Sequence, residues 1–262
     1  MREVSHSRYL RLFFSFFISF ILNLMFLLRF AKPRNYLPKI TTNLHDAARI
    51  DANKMLILNI EKCIQDSQVG PLMPLPIRLL EGMSGQRFRQ LLNKLIKIPI
   101  SGSYLEIGTF KGSTAISALY QSQRTAILID NWSEFGGPKE TAFKNLARHC
   151  PTAVLNFVDQ SFEDFCKVNT REKIAIYFYD GGHSFEEQRM AVKFIDKLNF
   201  DKLIFIVDDF RWETVRKATS DEINHLGSSL VQSWIILPSE KDRLFRYGNW
   251  HNGYFIGLLS KL

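Results

Sequence analysis

The chain has 262 residues, 46% of them apolar, which suits one core-forming domain of about 200 residues plus an appendage and excludes a disordered chain. Its formal charge of +8 does not describe a nucleic-acid face: residues 1–39 hold seven Lys/Arg against the single acid Glu3, and the remainder balances 27 Lys/Arg against 25 Asp/Glu. Three scattered cysteines, Cys63, Cys150 and Cys166, fit neither a disulfide framework nor a zinc site and imply a reducing compartment.

In chain order, Leu12 to Leu28 is an apolar run broken only by Ser15, Ser19 and Asn23. As a helix it would measure about 26 Å against a hydrocarbon core of about 30 Å, so residues 1–39 are read as a basic-flanked membrane anchor. Arg8 and Arg11 on one side and Arg29, Lys32 and Arg34 on the other leave its orientation open. An interfacial helix and a signal peptide are the alternatives, the latter without a small-x-small cleavage site. Residues 40–80 read as a linker helix followed by a proline-containing connector, ended by Gly70-Pro71 and the prolines at 74 and 76.

Residues 81–262 form the expected domain. Glu81 to Lys97 has the apolar spacing of an amphipathic helix, with Phe88, Leu91, Leu92, Leu95 and Ile96 on one face. From residue 103, short apolar runs at 103–107, 125–129, 153–158, 174–179, 202–207, 230–237 and 253–259 alternate with helical patterns at 113–122, 138–149, 184–198 and 211–226. This predicts an α/β, Rossmann-like, seven-stranded and mostly parallel sheet covered on both faces. No helix separates the last two runs, so the C-terminal strand is expected to enter antiparallel. Ligands then bind beyond the carboxyl ends of the parallel strands.

The residues at those ends carry the chemistry. Ser103 to Ser113 runs from a strand through Glu106 into a turn with Gly108 and Gly112 and a helix start at Ser113 and Thr114, where exposed amides attract polar or anionic groups. Asp130, 24 residues after Glu106, is placed to accept hydrogen bonds from two ribose hydroxyls, or is an ordinary solvated aspartate. Asp159 and Ser161 are polar groups suited to an adenine edge or to a helix cap. Asp180, Asp208 and Asp209 end two further strands. Three carboxylates in one crevice call for a divalent cation, Mg²⁺ or Ca²⁺ by their all-oxygen chemistry, unless they are caps or solvated loop ends. His183, within one turn of Asp180, is the candidate general base, with a helix cap or hydrogen-bonding role as the alternative.

Tyr104-Leu-Glu-Ile-Gly-Thr-Phe-Lys-Gly-Ser113, Ile129-Asp-Asn-Trp132, Tyr179-Asp-Gly-Gly-His-Ser-Phe-Glu186 and Ile206-Val-Asp-Asp-Phe210 together resemble class I S-adenosylmethionine (SAM) methyltransferases. The resemblance is to the group that includes cephalosporin hydroxylase-like proteins and the macrocin and catechol type O-methyltransferases, and it covers about residues 80–260. It implies that Glu106, Gly108 and Gly112 surround the methionine part of SAM, with Ser113 or Thr114 near its carboxylate. Asp130 would hold the ribose, and Asn131 would lie against adenine with Ser161 at its edge. Asp180, Asp208 and Asp209 fall where the catechol type places its metal ligands, although the last is Asn there. His183 stands where that type has a lysine.

The implied activity is metal-assisted O-methylation, with Mg²⁺ or another divalent cation, of a hydroxylated small molecule or glycan. A tethered SAM-binding module without turnover and a hydroxylase-like use of the same fold are the alternatives. Because SAM is the donor, an anchored single-pass protein is expected to keep its catalytic domain on the cytoplasmic side. The loop Trp132 to Pro138 and the hairpin Glu240 to Asn252, with Arg243, Arg246, Tyr247, Trp250 and His251, are the expected sources of acceptor selectivity.

Overall fold

A computed structural model describes residues 37–45, 47–167, 171–239 and 249–261. Its strands are β1 (Lys39–Leu44), β2 (Ser103–Ile107), β3 (Ala126–Ile129), β4 (Leu155–Val158), β5 (Ile174–Tyr179), β6 (Lys202–Val207), β7 (Leu230–Leu237) and β8 (Tyr254–Ser260). They make one sheet in the order β1-β7-β8-β6-β5-β2-β3-β4. The pairings among β2 to β6 are parallel. As the missing crossover required, β8 is antiparallel, and it inserts between β6 and β7. The insertion brings the start of β8 to the carboxyl end of β6, with Val207 opposite Phe255.

Seven strands were expected and the described residues hold eight. The added one is β1, antiparallel to β7, in the stretch read as connector. Its sequence Lys-Ile-Thr-Thr-Asn-Leu is largely exposed, as an edge strand's is, so it lacks the apolar run that marks the inner strands.

The helices are α1 (Ala47–Val69), α2 (Leu75–Arg78), α3 (Gln86–Leu95), α4 (Ser113–Leu119), α5 (Lys139–His149), α6 (Phe162–Phe165), α7 (Phe185–Lys193) and α8 (Glu213–Ile223). Successive strand side chains point to opposite faces, so the sheet carries two cores. On one face Tyr104, Leu128, Phe178 and Ile206 pack with Ile60 of α1, Phe88 and Leu91 of α3, and Ile116 of α4. On the other, Leu105, Ile129, Tyr177 and Phe205 pack with Ala191 and Val192 of α7 and Val215 of α8. Helix α1 is therefore part of the core rather than a free linker. Phe88 stacks on Tyr254 with centroids 3.6 Å apart and tilts against Phe178 at 5.2 Å. Truncating such a ring to alanine costs about 3–5 kcal/mol.

The turn from α3 into β2 is fixed by Arg124, whose guanidinium donates to the carbonyls of Ile96 (2.9 Å), Ile98 (2.8 Å) and Ile100 (2.7 Å). Arg124 thereby gathers three carbonyls of the turn, of which that of Ile98 also accepts from the Ile100 N–H (2.8 Å).

The expectation of a membrane-anchored, single-pass protein is corrected: among the described residues no helix is long and apolar enough to cross a membrane. The run 12–28 that suggested the anchor lies outside the described residues, as do Arg243, Arg246 and Tyr247.

Candidate active site

A cleft of about 1070 Å³ opens where β2, β3, β5 and β6 end, lined in part by Gly108, Asp130, Asn131, Ser161, Asp180, His183, Asp208 and Asp209. Six non-glycine residues among those described adopt left-handed backbone. Five of them, Phe110, Trp132, Phe135, Asp209 and His251, line this cleft. Each such residue costs on the order of 1–3 kcal/mol and persists only where its surroundings dictate it, so their clustering marks the cleft as a built site.

On the glycine-turn side, Gly108 has φ +86° and Gly112, the residue before α4, φ +82°. The Asp130 carboxylate accepts from the backbone N–H of Phe110 (2.7 Å) and of Trp132 (2.6 Å). It ties the turn to the end of β3, and two of its roughly four acceptor positions remain for a ligand's hydroxyls. Asn131 turns its Oδ1 to the N–H (3.1 Å) and hydroxyl (2.9 Å) of Ser133.

Glu106 does not line the cleft. It is fully buried below the turn, accepting from the Tyr104 hydroxyl and from Thr114 Oγ1 (2.7 Å). Burial pushes its carboxyl up to about 8, against the pull of those two donors. Gly112, Ser113 and Thr114 likewise belong to the packed start of α4 rather than to the lining. The structure thus gives these four a supporting place under the turn, where a direct place around the ligand was expected.

For Asp159 and Ser161 an adenine edge and a helix cap were both open. Asp159 is outside the lining, its carboxylate taken by Lys139. Ser161 lines the cleft but is the cap of α6: its Oγ accepts from Asp164 N–H (3.1 Å) and donates to Asp164 Oδ2 (2.9 Å).

The acidic side gathers in two groups that share Asp209. Asp180, His183 and Asp209 each offer a ligand atom within 4.8 Å of the others, and so do Asp208, Asp209 and His251. His183 Nε2 lies 2.7 Å from Asp209 Oδ2 without the alignment of a hydrogen bond, and His251 Nδ1 lies 3.7 Å from Oδ1. Asn252 Nδ2 donates to Asp209 Oδ1 (2.6 Å). Burial first, and then the charge of Asp209, lifts Asp180 to about 7; Asp208 is raised well above the usual range by burial and by both neighbouring carboxylates. Asp209 moves the other way, because His183, Asn252 and His251 outweigh its burial. For His183 burial pulls the pKa down, but Asp209, with Asp180 and Glu187, leaves it above 6.5.

The donor set fits a divalent cation, whose charge would offset the burial and mutual repulsion that raise Asp180 and Asp208. His251, Asn252 and Trp212 complete the cleft. Of these, only His251 stood out in the sequence, and only as part of a hairpin. Trp250, grouped with it there, is 1% exposed and belongs to the core.

Strand order and the parallel run from β2 to β6 define an α/β, Rossmann-like fold with a cleft at the strand ends. Residues 105–210 match the family model described as a methyltransferase domain. The fold is that of an O-methyltransferase from Bacillus cereus in complex with SAH (12% identity, TM-score 0.54, covering 82% of this chain and 97% of that one). It is also that of the O-methyltransferase TomG from Streptomyces achromogenes in complex with SAM (14% identity, TM-score 0.52, 81% and 96% covered). A third structure with this fold is cofactor-bound Rv0187 from MTB (17% identity, TM-score 0.53, 83% and 99% covered). The chain matches none of the curated proteins. Residues 105–210 are thus similar to a methyltransferase domain, and the chain shares the fold of the three structures above.

Proposed function

We propose that this domain transfers the methyl group of SAM to a hydroxyl of a small-molecule acceptor, with a divalent cation held by Asp180, Asp208 and Asp209 and with His183 as proton acceptor. The observation that carries this reading is the meeting of the Asp180–His183–Asp209 cluster with the Gly108 turn and Asp130 in one cleft. SAH and SAM in two O-methyltransferases of the same fold support SAM as the donor.

In the reaction the bond from sulfonium sulfur to methyl breaks, the bond from acceptor oxygen to methyl forms, and the hydroxyl proton leaves. The cation, when bound, lowers the pKa of an acceptor hydroxyl. His183, with Nε2 turned to Asp209, has Nδ1 left to take the proton, and Asp209 stabilises the imidazolium that results. Asp130 holds the donor's hydroxyls, and Gly108 lets the backbone come close to it. Bringing donor and acceptor into one cleft supplies much of the acceleration of a two-substrate step.

Isothermal titration with SAM and, separately, with Mg²⁺ or Mn²⁺ tests this. Both ligands bind on this reading, and Asp180→Ala loses the cation while keeping SAM. Absence of SAM binding, or equal loss of both ligands in the variant, overturns it.

A further inference from the structure

Asn252 joins the acidic cluster from the turn that enters β8. Its Nδ2 donates to Asp209 Oδ1 (2.6 Å), while the other oxygen, Oδ2, lies 2.7 Å from His183 Nε2. The main chain is tied at the same place: Arg211 N–H donates to the Asn252 carbonyl (2.9 Å) and Phe210 N–H to that of Gly253 (3.1 Å). Asp209, the residue before Phe210, keeps its left-handed backbone, φ +53°, beside these contacts. The side chain and the main chain of the turn thus grip the same acidic residue. Which way its carboxylate faces has a consequence, because Asp209 is common to the Asp180–His183–Asp209 and Asp208–Asp209–His251 groups. His251 Nδ1 stands on the Oδ1 side, at 3.7 Å.

We propose that Asn252 is a positioning residue: by holding Oδ1 it sets the rotation of the Asp209 carboxylate, so that Oδ2 takes the cation on the side of Asp180 and His183 rather than of His251. The inference rests on the reading above, in which a cation works in this cleft. The last torsion of an aspartate is soft, so a carboxylate that is to present one chosen oxygen needs a partner on the other. A carboxylate only accepts, which requires the amide nitrogen of Asn252 to face it. An amide also suits the task by being neutral. It orients the carboxylate and leaves the negative charge for the cation, whereas a lysine or arginine at position 252 would cancel it.

The test uses the full-length protein, with bound Mn²⁺ followed by electron paramagnetic resonance and SAM by calorimetry. Asn252→Ala is expected to weaken Mn²⁺ binding about 10–100-fold while SAM affinity stays at the wild-type value. Asn252→Leu, close in size but without N–H groups, is expected to lose as much Mn²⁺ affinity as the Ala variant. In wild-type crystals soaked with Mn²⁺, the metal is expected on Asp209 Oδ2, a measurement that needs no variant to fold. The proposal is overturned if Asn252→Ala binds Mn²⁺ as the wild type does, or if Asn252→Leu restores binding, which would make the role one of packing. It is equally overturned if SAM affinity falls together with Mn²⁺ affinity, or if the metal sits on Oδ1 beside His251. A wild type that fails to bind SAM or Mn²⁺ defeats the reading above. One that binds both, with Mn²⁺ indifferent to Asn252, defeats only this inference.

Discussion

Asp180 donates its backbone N–H to the carbonyl of Ile107 (3.0 Å), and its own carbonyl oxygen lies only 1.9 Å from where a Cβ on Gly108 would stand. The glycine turn at the end of β2 and the acidic strand end of β5 are therefore in backbone contact. Gly108 also sits at φ +86°, a conformation that costs an L-residue about 1–2 kcal/mol before any clash.

Gly108→Ala follows directly. It should destabilise the domain by at least about 2 kcal/mol, strain and collision adding, and it should weaken SAM and cation binding together because the strand ends must part. Urea denaturation with both titrations checks this. A variant of unchanged midpoint would show that the contact has slack.

His183→Ala should lower kcat by about 10²–10⁴-fold while leaving SAM affinity unchanged, the range for loss of a positioned base. The free enzyme's rate should rise with pH through a midpoint above 6.5, since the base works deprotonated and Asp209 favours its protonated form. Added Mg²⁺ should lower that midpoint by opposing the carboxylate charge. Rate profiles with and without cation read both effects.

Glu106 gives a stability prediction of definite sign. Its folded pKa, about 8, lies above the unfolded carboxylate's, so its contribution is complete below about pH 4 and is lost as pH rises through about 8. Between pH 5 and 8 the melting temperature should fall more in the wild type than in Glu106→Gln, whose amide stays neutral. Parallel slopes in the two proteins would contradict this.

Much of the fold was legible because the inner strands are buried on both faces and write their positions as unbroken apolar runs; Asp130, Asp180, Asp208 and Asp209 could be placed simply as the residues that follow them. Strand β1 was hidden, since an edge strand with an exposed, Thr-rich sequence resembles a connector. Asn252 was hidden for another reason: it reaches Asp209 only because β8 inserts antiparallel beside β6, a pairing across 43 positions that no local pattern records. Asp159 was misplaced because Lys139, twenty residues earlier, captures its carboxylate. Glu106 sits where the motif requires it, but alternation turns its side chain down into the packing with Tyr104 and Thr114.

A divalent cation should raise the melting temperature of the wild type and not of Asp209→Asn, because binding to the folded state alone stabilises it by mass action. A thermal scan with Mn²⁺ and with a chelator decides this. Equal shifts in both proteins would place the cation elsewhere.

The central claim is that donor and cation share one cleft, and anomalous diffraction from crystals grown with SAH and Mn²⁺ addresses it most directly. The account predicts a manganese peak about 2.0–2.6 Å from carboxylate oxygens of Asp180 and Asp209, with the ribose of SAH on Asp130. A manganese peak away from those carboxylates, or SAH bound outside the Gly108 turn, would contradict it.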